Sequence, residues 1–142
     1  MTTTWIVTAD SARARVLQAV DQQSQFTEVE DFLNPEARMS ERELTEDAHP
    51  RFRGTAGPGS DRQETSAGEH ATELFAKRVA ERLNKARTEH RYDELQLVAE
   101  PQFLGKLRNA LDDEVGKLVT REVPKNYAAL DARELERRLR AL

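Results

Sequence analysis

The chain is 142 residues long, 37% hydrophobic and 34% charged, with a formal net charge of −4 and no cysteine. That length suits one domain with one core, and the lack of cysteine excludes a disulfide framework, a thiolate metal site and a cysteine nucleophile. Interspersed charges of both signs give no global attraction to nucleic acid. Residues 1–7 lack the features of a secretory signal and no run approaches the roughly 18–20 apolar residues of a bilayer span, so a cytoplasmic chain without membrane contact is expected.

Thr4 to Ala9 is a β-branched and aromatic run that stops at Asp10-Ser11, and Ala14 to Val20 resumes at once, which predicts a hairpin of two strands. Phe26 to Leu33 reads as a third strand. Val29 and Asp31 share a parity there, which calls for a bulge or an edge position. Residues 35–68 hold four of the six glycines and three of the five prolines with few large apolar residues. They read as one long flexible loop, with Thr55 to Ser60 its most flexible part; loops of that length are usually functional or disordered.

From Glu69 onward Ala71, Phe75, Val79 and Leu83 recur every four residues, widened by Leu74 and Ala86, and predict a long helix with Glu73–Lys77 and Glu81–Lys85 pairs on another face. Leu95 to Ala99 is a compact strand. Pro101 opens a helix through Leu111 whose buried stripe is Phe103, Leu104, Leu107 and Leu111. A short turn of helix over Asp112 to Lys117 precedes a fifth strand, Leu118 to Val123. Asp131 with Glu134 then starts a last helix, striped by Leu135, Leu139 and Leu142. The order β-β-β-α-β-α-β-α predicts an α/β fold in which right-handed crossovers set the fourth and fifth strands parallel to a central first strand. It is the order of a ribonuclease H-like mixed sheet, with helices packed on it in two or three layers.

Two segments resemble a bacterial family of host attachment proteins, also described as proteins required for attachment to host cells. The first is Trp5 to Arg15 together with Val29 to Arg38; the second is Leu97 to Arg108, at the opening of a helix. The family is similar, in its order of elements, to the central domain of archaeal and eukaryotic class-1 peptide release factors. There a Gly-Gly-Gln tip between the three-stranded meander and the long helix promotes hydrolysis of peptidyl-tRNA. The corresponding stretch here is Gly57-Pro58-Gly59-Ser60-Asp61-Arg62-Gln63. It departs from that pattern because no glycine pair precedes Gln63, and the ester chemistry depends on an unhindered backbone placing an amide beside the bond.

Weak catalytic candidates are Gln63, Asp10 and Glu100. Asp10 and Glu100, at two strand ends, could join Glu69 or Glu73 in a metal-dependent nuclease. The competing structural reading gives Asp10 turn hydrogen bonds, Glu100 a helix cap and Glu73 a pairing with Lys77. His49, His70 and His90 match no zinc spacing, and Ser11 has no nucleophile setting. Candidate binding residues are Arg13 and Arg15 on the hairpin and Arg38, Arg51, Phe52, Arg53, Gly57, Gly59, Arg62 and Gln63 in the loop, where arginines beside an aromatic could meet RNA phosphates and stack a base. Acidic Glu41, Glu43, Glu46 and Asp47 offset that charge. The expectation is a non-enzymatic binding protein without cofactor or metal, its role in attachment indirect because no export signal is read. Its partner is expected to be tRNA or the ribosome, or a protein.

Overall fold

The computed structural model describes residues 1–21, 25–36 and 58–142, with the side chains of 58–67 excepted. Five strands form one mixed sheet: β1 Thr3–Ala9, β2 Arg13–Val20, β3 Thr27–Leu33, β4 Glu94–Ala99 and β5 Val119–Val123, in the spatial order β3-β2-β1-β4-β5. Among the described residues, the helices bounded at both ends are α1 Pro58–Thr88, α2 Pro101–Ala110, the single turn α3 Asp113–Gly116 and α4 Ala132–Arg140. β1 lies at the centre, antiparallel to β2 and parallel to β4, and β4 is parallel to β5, as the element order requires.

Alternation along β1 sends Trp5, Val7 and Ala9 to one face, where they pack with Phe75, Val79 and Leu83 of α1, Phe103 and Leu107 of α2 and Val115 of α3. Ile6 points the other way and packs with Leu17, Val98, Val123 and with Leu135 and Leu139 of α4. Three layers result, unequal in weight. On the heavier face Trp5 stacks on Tyr92 at 5.0 Å between centroids, the Trp5 indole N–H donates to Gln18 Oε1 at 3.0 Å, and the Tyr92 hydroxyl donates to the Leu83 carbonyl at 2.9 Å.

The opposite face is tied by a buried arginine. Arg15 is 4% exposed; its Nε donates to Glu28 Oε1 at 2.7 Å and its Nη1 to the Ala128 carbonyl at 3.1 Å and to the Leu130 carbonyl. One side chain thereby joins β2, β3 and the segment leading into α4. β3 is both an edge strand and irregular, with a register shift opposite Val16/Leu17. The bulge lets Glu28 and Asp31 meet Arg15 and Arg13 while Glu30, between them in sequence, meets Arg82 of α1 at 2.5 Å.

Three expectations need correction. Helix α1 begins at Pro58, eleven residues before Glu69, so residues 58–68 do not belong to a loop. Proline at the first helical position loses no needed donor, and a helix satisfies its own backbone groups whether or not its side chains are apolar. Leu74 and Leu142 lie outside the buried stripes, at 48% and 58% exposure, and Ala76 and Ala80 close the α1 stripe instead. Small side chains at those positions let the helix approach the sheet. The partner of Glu73 is Lys106 of α2, at 3.7 Å, rather than Lys77, because α2 lies against that side of α1.

Burial pushes the Tyr92 phenol up to about 12. An unfolded chain releases that proton near pH 10, so the stability linked to it is complete below pH 10 and disappears as pH rises from about 10 to about 12. Alkaline unfolding followed through Trp5, the one tryptophan, should begin in that window. Tyr92→Phe should move the alkaline limb upward while lowering stability at neutral pH by about 1 kcal/mol, the value of the lost hydrogen bond. Arg15→Leu, which strands two carbonyls, is expected to cost on the order of 3 kcal/mol in urea unfolding. The Thr8 hydroxyl is buried with no hydrogen-bond partner, so Thr8→Val should raise the urea midpoint, by about 1 kcal/mol of stability.

Candidate functional site

In open α/β sheets ligands gather beyond the carboxyl ends of parallel strands, and here that edge is formed by the ends of β1 and β4, where Ala9 and Ala99 are paired. Asp10 and Glu100 follow directly. Both carboxylates are engaged by backbone donors. Asp10 Oδ1 accepts from the amides of Ala12 at 2.8 Å and Arg13 at 2.9 Å, closing the hairpin, and its Oδ2 accepts from Asn126 Nδ2 at 3.3 Å. Glu100 caps α2, accepting from Gln102 N at 2.9 Å and Phe103 N at 3.1 Å. Asn34, buried against the hairpin turn, donates to the Ser11 carbonyl at 3.0 Å. This edge is therefore a set of satisfied turns and caps, and among the described residues no three His, Cys, Asp or Glu side chains stand close enough to hold a metal ion.

The remaining candidates are scattered. Arg13, itself 38% exposed at the start of β2, forms a two-pronged pair with Asp31, its Nη2 at 2.8 Å. Arg15 is buried with its Nε and Nη1 engaged, as described, and is not positioned to meet a ligand phosphate. Gly59, Arg62 and Gln63 stand in the first turns of α1 rather than on a loop tip. Arg38, Arg51, Phe52, Arg53, Gly57 and His49 lie outside the described residues. Glu69 and His70 are exposed on α1. His90 is exposed and left-handed, φ 56°, just beyond that helix; its amide donates to the Arg87 carbonyl and the Arg91 amide to that of Ala86, the paired bonds of a Schellman C-cap.

Sequence reasoning missed a different surface. Helix α4 carries Arg133, Arg137, Arg138 and Arg140 against Glu134 and Glu136. Arg133, Arg137 and Arg140, spaced i, i+4 and i+7, share one side and line a groove of about 390 Å³ with Gln25, Phe26 and Glu136. A second groove of about 260 Å³ continues past Phe26 and Arg140 over the sheet to Thr4, Gln96 and Arg121. Arg121 donates to the Leu139 carbonyl at 3.0 Å and so anchors the end of α4. The Glu134 carboxyl, partly exposed, is held down to about 2 by hydrogen bonds from Arg137 and then Arg138. The spacing of arginines in Ala132 to Arg140 was visible in the sequence, where the leucine stripe of the same helix drew attention to the buried side alone.

Among described residues no helix is long and apolar enough to cross a membrane. A solved structure, the type II variant of the Ppx/GppA phosphatase of Aquifex aeolicus, matches 87% of this chain with a TM-score of 0.45 and 12% identity. The matched region is 36% of that protein's length. No curated protein matches the chain. A family model described as "Protein required for attachment to host cells" matches residues 5–139, nearly the full length, and the chain belongs to that family.

Proposed function

We propose that this chain is a binding module that bears on attachment to host cells indirectly, from the cytoplasm, by holding a partner rather than by catalysing a reaction. The observation that carries this reading is the state of the carboxyl edge: Asp10 and Glu100 are both engaged in fixing the hairpin turn and the start of α2. A carboxylate working as general base or metal ligand needs an oxygen directed at substrate or ion. The strand order and mixed pairing support a ribonuclease H-like reading of the sheet. The likeness to release-factor central domains is part of the same reading, with Gln63 in a helical turn rather than a tip speaking against ester hydrolysis. A second reading, contact with tRNA or the ribosome, is favoured by the arginine side of α4.

The amide variants Asp10→Asn and Glu100→Gln keep a hydrogen-bond acceptor at each cap and remove the charge. Each should fold, losing no more than about 1 kcal/mol in urea unfolding, and each should restore host-cell attachment to bacteria lacking the native chain. Variants that fold normally yet fail to restore attachment would assign the carboxylates a chemical role and overturn the binding reading.

A further inference from the structure

The groove between α4 and the start of β3 brings together an aromatic ring, a side-chain amide and exposed arginines. Its volume, about 390 Å³, falls within the roughly 300–1,000 Å³ of small-ligand sites. Phe26 is half-buried: it packs against the core beneath α4 and also lines the groove. A ring placed so is a platform on which a planar base can stack. Gln25, exposed beside it, offers both a donor and an acceptor.

The arginines differ in how firmly they are held. Glu136 takes the Phe26 amide at 3.1 Å on one oxygen and Arg140 Nε at 3.0 Å on the other, so its charge is compensated and it fixes Phe26 in place. Arg137 pairs with Glu134, but its side chain is 72% exposed, and an ion pair in water is worth little. Glu134 has a second partner in Arg138 at 3.0 Å, itself lying over Tyr127 at 5.5 Å from the ring centroid. Arg137 can therefore turn to a ligand without leaving Glu134 unpaired. Arg133, one turn earlier, is exposed and has no ion-pair partner among the described residues. Two guanidinium forks on one helix side match the paired oxygens of a phosphate.

We propose that this groove binds a nucleoside phosphate, its phosphate on Arg133 and Arg137 and its base on Phe26, with Gln25 at the base edge. The proposal rests on the binding-module reading and names the ligand class. Free nucleotide and the end of an RNA strand present the same chemistry, and the test separates them.

The full chain is titrated by calorimetry with the four nucleoside monophosphates, inorganic phosphate, an acidic peptide and a single-stranded RNA octamer. At least one nucleoside monophosphate should bind ten-fold or more tightly than inorganic phosphate. Arg133→Glu with Arg137→Glu, both exposed and without structural partners that the fold depends on, should weaken that binding at least ten-fold with an unchanged thermal midpoint. Phe26→Leu should lower the preference for nucleotide over phosphate while leaving phosphate binding within two-fold. An octamer that binds more tightly than the monophosphate, with affinity falling steeply with salt, identifies RNA as the source. An octamer that binds no better identifies free nucleotide. Absence of binding at millimolar nucleotide, binding indifferent to the double arginine change, or preference for the acidic peptide would overturn the proposal. Because Asp10 and Glu100 are on the opposite edge of the sheet, loss of attachment in their variants strikes the binding-module reading alone, and failure of these titrations strikes the ligand assignment alone.

Discussion

The sheet and the helices that cover it are arranged about a strand that is buried on both faces. β1 has a neighbour on each side, and its residues from Trp5 to Ala9 are all fully or almost fully buried. A strand placed so cannot alternate between oil and water; it needs a helical layer on each face. The heavier layer is supplied by the long helix α1 with α2, and the aromatic stack of Trp5 on Tyr92 locks the beginning of β1 to the turn that leads into β4. The lighter layer is α4, nine residues contributing two buried leucines.

So short a helix does not hold itself on a sheet through two leucines alone. Isolated helices of this length are marginal in water, and α4 is kept in place by polar anchors at both ends. Arg15 grips the carbonyls of Ala128 and Leu130 just before it, the Asp131 side chain caps its first turn, and Arg121 holds the Leu139 carbonyl at its end. The narrowness of this layer has a functional consequence. It leaves part of the sheet face uncovered, and the grooves around Phe26 exist because α4 does not extend across it.

The strands and their order were legible in the sequence because each carries its own signal. The β-branched run of Thr4 to Ala9, the parity defect at Val29 and the proline opening at Pro101 are local, and the pairing rules supplied the rest. What escaped was set by contacts that leave no periodic trace. Residues 58–68 lack large apolar side chains, and burial-based reading takes that as loop although Pro58 is itself a helix-start signal. Leu74 and Leu142 fit their stripes by spacing, yet Leu74 lies beside the buried stripe of α1 and Leu142 lies past the end of α4. The candidate site was less legible than the fold. Asp10 and Glu100 sit where catalytic carboxylates sit in many α/β proteins, and only the hydrogen bonds to Ala12, Arg13, Gln102 and Phe103 reveal that they are occupied.

Arginine is the residue for which the sequence is least informative, because burial decides its role. Arg15 and Arg137 are chemically identical and both pair with glutamate. Arg15, 4% exposed, has given up its hydration and cannot leave its carbonyls and Glu28 without stranding buried polar groups, which makes it part of the framework. Arg137, 72% exposed, keeps water on most of its surface and exchanges one partner for another at little cost. Arg13, 38% exposed and paired through two bonds with Asp31, stands between the two kinds. Among the described residues, the arginines of α4 are exposed charges of the second kind on the thin layer, toward the end of the sheet away from the turns and caps that complete its carboxyl edge.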